Sequence, residues 1–525
     1  MKKIKISILL AALLSLNSCH EKFLEEEAYS FLTPSNFYRN AKDAQAAVNA
    51  VYKMLYNNDS GYYDYNLLAI NELTTEAVTS ILWDRSVDHG RLDTWTTRVG
   101  DEASVYRQTF QIVNRANAVL DNVPKIAMDE KLKNRILGEA RFLRALAYFN
   151  GVRLYGDLPL LTNATTSLDN LKVPAAPAAQ VYNLVIEDLM FAKDNLPSVK
   201  SYGAADRGRA GRSAAKTLLA KAYLTRATVK ELAQNDDNQK AAALLREVIA
   251  DGDHGLEASY ATLWDYEKNE NNKEVIFDIQ LTRIGGMGGR LTRQISTANT
   301  GNTYASSFST MNVELDFYKS YEPGDQRRDV TFDDSFVSGG KTIKFNPEDP
   351  RANNFPQDTP GFRKNVDFDK TANLDKEEPN FVVLRYADVL LMLAEALTEI
   401  NKGPNAEAYQ LVNMVRRRAF GKDINTPDPT IDLAGLSYPE FRKALLTERR
   451  KELVLEGHGW FDGMRFYDIF LNNVDKASVG ANPLKSERPK EVIDRARIAD
   501  PKYRLFPIPT DVMERNPNIK QNPGW

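Results

Sequence analysis

The chain of 525 residues carries a single cysteine, Cys19, so no intramolecular disulfide can brace it and buried surface must hold the fold. Its composition meets that demand: 43% of the residues are hydrophobic, ample for one or two sizeable cores in a chain this long. The 68 basic and 71 acidic residues are interspersed. The concentrated basic surface that phosphate binding requires is missing, so no nucleic acid is expected among the partners. The 23 Tyr, 23 Phe and 5 Trp supply flat apolar faces that can stack on ligands as well as fill a core.

The position of Cys19 is as informative as its solitude. Lys2, Lys3 and Lys5 precede an apolar run from Ile6 to Leu16, and Leu16-Asn17-Ser18-Cys19 follows it. This is the layout of a secretory leader with a small-residue cleavage site, and the run is shorter than the ~20 apolar residues that span a bilayer. With the cysteine placed so, it is similar to a bacterial lipobox. The expectation is a signal peptide over residues 1–18, an acylated Cys19 as first mature residue, a tether over 19–30 and a folded body over 31–525. Each buried methylene contributes ~0.8 kcal/mol, so two or three acyl chains would anchor the protein. The alternative is an ordinary secretory leader beside a chance cysteine.

Helical periodicity dominates the body. It predicts helices over Asp43 to Leu55, Val105 to Leu120 and Gly138 to Leu154, the last ended by Tyr155-Gly156-Asp157. Gln180 to Leu196 is closed by Pro197. Ser213 to Ala227 pairs with Asn238 to Ile249, and Tyr386 to Ile400 pairs with Asn405 to Ala419 across Lys402-Gly403-Pro404. These read as antiparallel helix hairpins with small residues near the turn, such as Ala394, Ala396, Ala406 and Ala408, similar in part to tetratricopeptide repeats. The fit is partial, because no 34-residue period runs uninterrupted. The fold class is therefore mainly α, with helical scaffold over about 40–270 and 381–525. Between them, about 271–380 is rich in Gly, Asn, Thr, Ser, Asp and Pro with short strand-like runs, Val275 to Leu281 and Thr342 to Phe345. A loop-rich insertion on a rigid frame is where binding usually resides.

Enzymatic motifs fail one by one. His20, His89, His254 and His458 show no zinc-ligand spacing. Ser335 to Thr342 ends like a phosphate loop but lacks its first glycine and its strand-to-helix setting, so it reads as a turn. Gly285-Gly286-Met287-Gly288-Gly289 misses the dinucleotide spacing. Carboxylate pairs for glycoside cleavage carry no signal among 71 acids. No cofactor and no metal is expected. The segment Leu445 to Arg465 says more: helical spacing puts Leu446, Arg449, Leu453 and Glu456 on one face, which directs charge toward the core. A buried arginine has to be paired, so Arg449 is expected to be structural and held by Glu452 or Glu456.

Here the sequence becomes recognisable. Thr447-Glu448-Arg449-Arg450-Lys451-Glu452-Leu453 with Gly459-Trp460-Phe461-Asp462 resembles the SusD/RagB family of outer-membrane nutrient-binding lipoproteins. Further blocks stand in the family's order: Asn114-Arg115-Ala116-Asn117, Glu139 to Ala145 with Tyr155 to Pro159, Gly211-Arg212, Leu384 to Leu391, and Leu505-Phe506-Pro507-Ile508-Pro509. The resemblance covers essentially the whole mature chain. It implies a SusD-like helical body with a ligand-presenting loop region, anchored at the cell surface as a lid on a SusC-like TonB-dependent transporter. It also implies binding of a glycan without catalysis, or of peptide in the RagB branch; a surface glycosidase is the third class.

The shared blocks look like scaffold, so specificity is expected in Tyr62 to Trp95 and Arg283 to Phe308. The ligand-binding candidates are Tyr65, Trp83, Asp84, Arg85, Arg290 and Tyr304. Aromatic faces pack on the C–H face of a sugar while carboxylates and guanidinium groups bond its hydroxyls. The competing reading places Trp83 and Trp95 in the core.

Overall fold

The computed structural model describes residues 37–56, 62–80, 101–167, 171–265, 270–284, 288–302, 308–349, 359–369, 377–474 and 500–525, together with 267, 355 and 356. The leader, Cys19 and the tether lie outside the described residues. The fold is mainly α.

Helix α1 (Ala41–Lys53) starts at Asn40, whose side chain accepts from Lys42 and Asp43 N–H, and α2 (Leu67–Glu72) follows. Then α3 (Asp101–Asn122), α4 (Glu130–Tyr155), α5 (Ala178–Asn195), α6 (Arg212–Ala227) and α7 (Asp237–Asp251) pack each on the next. Helix α7 then packs directly on α8 (Tyr386–Asn401), and α8 on α9 (Ala406–Ala419), although more than a hundred residues separate α7 from α8. The helices form one running stack, and the intervening chain is looped out of it. This is the quasi-one-dimensional logic of helix-hairpin arrays.

Local chemistry sets the ends. Asp129 caps α4 by accepting from Leu132 N at 2.8 Å, and Gly156 at φ 73 stops it. Helix α8 stops at Lys402 in the left-handed region (φ 50), and Asn405 caps α9 through Ala408 N at 2.8 Å. Helix α10 (Tyr438–Leu453) opens with Ser437 N donating to Glu440 at 2.8 Å. It closes sooner than the periodicity predicts. Val454 is its cap and Leu455 turns to φ 62, so Glu456 lies beyond the helix and α11 (Gly459–Arg465) begins a new one. Gly459 has no room for a side chain: a Cβ there would collide with the Asn71 carbonyl of α2 and lie 2.9 Å from Thr75 Cγ2.

The insertion is pinched at its neck by β1 (Val275–Ile279) running antiparallel to β4 (Phe381–Arg385). Within it, β2 (Ser335–Ser338) and β3 (Lys341–Lys344) form a hairpin turned by Gly339 and Gly340, both at positive φ. The stretch that resembled the end of a phosphate loop is thus a hairpin.

The neck is bolted to the stack by buried charge. Arg385 donates to Glu274 (2.9 Å), Glu452 (2.6 Å) and Glu456 (2.7 Å). Arg418 of α9 meets Glu274 at 3.1 Å and also Glu452. From the insertion, Arg327 reaches Glu448 at 2.6 Å and Glu452 at 3.1 Å, and Lys364 reaches Glu456 at 2.6 Å. Each cation therefore faces carboxylates from another element, the condition for tolerating charge in a dry core. The expected partnership of Arg449 with Glu452 or Glu456 is not formed, because those carboxylates serve Arg385, Arg418, Arg327 and Lys364. Arg449 instead binds Asp388 of α8 at 2.8 Å and Asp462 of α11 at 2.8 and 3.0 Å.

Candidate functional site

The two sequence windows that depart from the shared blocks are rooted at one place. Val78 and Thr79 pair antiparallel with Val313 and Asn312, and Glu314 N donates to Ala77 O at 2.9 Å. The Tyr65 hydroxyl donates to Thr310 Oγ1 at 3.1 Å, and Thr310 N to Gln294 O at 2.7 Å. The chain entering residues 81–100 therefore runs beside the chain leaving 303–307, two segments outside the described residues. Trp83, Asp84, Arg85 and Tyr304 fall in them. Arg290 is half-buried where the helical turn Leu291–Ile295 begins.

Tyr65 is corrected. It is buried, and its hydroxyl is engaged by Thr310, so it ties the two windows together rather than presenting a ring to ligand. Tyr62 and Tyr63 are likewise core: Tyr62 lies 3.3 Å from Thr109 Oγ1, and Tyr63 accepts from Asn150 at 2.9 Å. Their bodies are buried while their polar tips find partners, an outcome composition cannot reveal.

Phe308, the end of the second window, behaves otherwise. It is 42% exposed, and the Arg293 guanidinium sits 4.1 Å from its ring centroid. Phe308 N donates to Arg293 O at 2.7 Å, which fixes the pair's backbone. An exposed ring backed by a guanidinium has the chemistry of a stacking platform. The alternation of apolar and polar residues gave no reason to single it out.

Between the insertion and the residues just before it lies a cavity of about 780 Å³, lined among others by Trp264, Arg283, Asp329, Arg363, Phe368 and Glu378. This is within the usual range for ligand clefts. Arg363 stands 5.1 Å from the centroid of Phe368, while Arg283 is engaged by Asp367 at 2.9 Å and by Asp369. Carboxylates outnumber guanidinium groups on the lining, so the cavity suits a neutral, hydroxyl-rich ligand better than an anion. Among the described residues no cluster of His, Cys, Asp and Glu is fit to hold a metal ion. No described helix is long and apolar enough to cross a membrane.

Comparison with known proteins agrees with this architecture. The SusD family model matches residues 259–525, just over half of the chain, and a family described as starch-binding and associating with the outer membrane matches 22–224. A SusD-like protein P2 of Formosa agariphila is 28% identical across the full length of both chains. A SusD homologue of Bacteroides thetaiotaomicron superposes with a TM-score of 0.79 at 27% identity, over 94% of this chain and 98% of that one. Surface glycan-binding protein A of Bacteroides fluxus shares the fold, with a TM-score of 0.71 at 21% identity over 93% of this chain and 100% of that one. Stacked helix hairpins, a bolted insertion and these matches lead to one assignment: the chain belongs to the SusD family.

Proposed function

We propose that the protein is a non-catalytic, surface-exposed lipoprotein of the outer membrane, anchored at Cys19, that captures a glycan and passes it to a SusC-like TonB-dependent transporter. The observation that carries the reading is the shared root of the two divergent windows, with exposed Phe308 beside it and Trp83, Asp84, Arg85 and Tyr304 on the segments that spring from it. The starch-binding description of the matching family and the name of the Bacteroides fluxus neighbour support a glycan as ligand. The clamped neck supports a rigid frame for the insertion, and binding residues usually sit on such a frame.

Calorimetric titration of the mature protein against a glycan panel tests this, with Trp83→Ala and Tyr304→Ala alongside. Losses of roughly 5- to 150-fold, equal to ~1–3 kcal/mol, with melting temperatures held are expected. Affinity confined to peptides would turn the reading to the RagB type, and release of reducing sugar would make the protein a glycosidase.

A further inference from the structure

A second cavity, of about 930 Å³, lies within the helical stack and shares no lining residue with the one lined by Trp264 and Phe368. Its walls come from the ends of α4, α5 and α6, from α8 and α11, and from residues 501–505 and 522–523. Arg153 stands on its wall in an unusual state. The guanidinium is sandwiched between Phe149, 3.9 Å from the ring centroid, and Phe461, 3.4 Å. Nε donates to the Phe149 carbonyl at 3.1 Å and Nη2 to Asn150 Oδ1. Among the described residues Nη1 has no hydrogen-bond partner and no carboxylate pairs with the group.

Other arginines sunk into this protein are treated differently. Arg144 meets Asp188 at 2.7 and 2.8 Å, Arg465 meets Glu395 at 2.8 and 2.9 Å, and Arg449 meets two aspartates. Arg153 is half-buried on the cavity wall, and the desolvated part of its guanidinium has no counter-charge, which is costly. Burial holds Arg153 down to about 10, the direction expected of a guanidinium short of compensation. Tyr182 of α5 lines the same cavity, its phenol and the Arg153 guanidinium feel each other's charge, and its hydroxyl makes no hydrogen bond among the described residues. Burial pushes that phenol up to about 12, so it stays protonated and able to donate.

A guanidinium N–H and a phenolic O–H, both unbonded among the described residues and both on the wall of one cavity, offer one donor to each oxygen of a carboxylate. The surrounding wall includes Phe461, Met464 and Leu505, which suit an apolar body. We propose that this cavity is a second binding site, separate from the glycan site, for the carboxylate of a small organic acid held by Arg153 Nη1 and the Tyr182 hydroxyl.

The test is calorimetric titration of the mature full-length chain with phenylacetate and with galacturonate, each against its uncharged counterpart, phenylacetamide or galactose. The two acids distinguish an aryl acid from a sugar acid as the source of the carboxylate. At least one acid should bind, its neutral counterpart at least tenfold more weakly, and the bound acid should raise the melting temperature. Tyr182→Phe, which removes one oxygen and leaves the packing, should weaken the acid about fivefold or more and leave glycan affinity unchanged. Arg153→Met should abolish the acid's effect on melting temperature. Equal binding of acid and neutral counterpart, an unaltered affinity in Tyr182→Phe, or no binding of either acid overturns the proposal. The glycan reading stands or falls separately, on the variants at positions 83 and 304.

Discussion

Arg449 of α10 grips Asp462 of α11 with two parallel bonds, Nε to Oδ2 at 2.8 Å and Nη2 to Oδ1 at 3.0 Å, across the helix break at Leu455. The same guanidinium reaches Asp388 of α8, which is also held by Lys221 at 2.6 Å. One arginine thus joins the two pieces of the Glu-Arg-Arg segment and fastens both to the helix stack. All four side chains are buried.

Arg449→Ala would leave Asp462 and Asp388 in the core with a counter-charge removed. A loss of ~3–5 kcal/mol in stability is expected, read as a fall in denaturation midpoint. Ligand affinity of the folded fraction should hold. An unchanged midpoint with abolished binding would place the arginine in a ligand site.

Most helices were legible because their buried faces repeat at helical spacing and their stops are chemical. Helix α8 is the clearest case: Tyr386 to Ile400 is predicted and Tyr386–Asn401 observed, with Lys402-Gly403-Pro404 as punctuation. Helix α4 begins at Glu130, eight residues before the predicted start: its first turns are mostly half-buried rather than core, with only Leu132, Ile136 and Leu137 apolar among polar and charged residues, and Asp129 was the available signal. The partners of Arg449 were not legible. Asp388 lies 61 residues away and Asp462 beyond a break that no glycine or proline at Leu455 announces. Tyr62, Tyr63 and Tyr65 show the limit at the site, since a tyrosine with a bonded hydroxyl is as good a core residue as a platform. What brings Phe308 beside the first window is a strand pairing between Val78–Thr79 and Asn312–Val313, two residues long and invisible to periodicity.

Glu72 of α2 gives a pH signature. Burial pushes its carboxyl up to about 7 against the pull of Arg450, while Oε1 accepts from Gly457 N at 3.1 Å. Between about pH 4.5 and 7 the folded state therefore holds a proton that the unfolded state has released, so this group's contribution makes stability fall as pH rises, then level off. Glu72→Gln keeps an acceptor for Gly457 and removes the titration. Relative to the unaltered protein the variant should gain about 3 kcal/mol from pH 4.5 to 7. Urea denaturation of both proteins at several pH values measures it, and a constant difference would show that Glu72 does not titrate in this way.

Cys19→Ala should move the protein from membranes to soluble fractions when expressed at full length, because the proposed anchor depends on that thiol. Fractionation and protease accessibility on intact cells check it. A variant that still partitions wholly with membranes and stays protease-accessible would require another anchor.

Phe308→Ala separates binding from folding at the described edge of the proposed glycan site. The ring is 42% exposed, so its removal leaves little cavity, and stability should change by no more than about 0.5 kcal/mol. The Arg293 guanidinium on the ring would lose its support, and a stacked sugar would lose its platform. Affinity for the cognate glycan should therefore fall by ~1–3 kcal/mol, roughly 5- to 150-fold, in titrations run beside melting curves. If Phe308→Ala binds normally while Trp83→Ala does not, the glycan sits on the first window alone. If both bind normally, the shared root of the two windows supports a site for something other than this ligand, and the cleft lined by Trp264 and Phe368 becomes the next place to substitute.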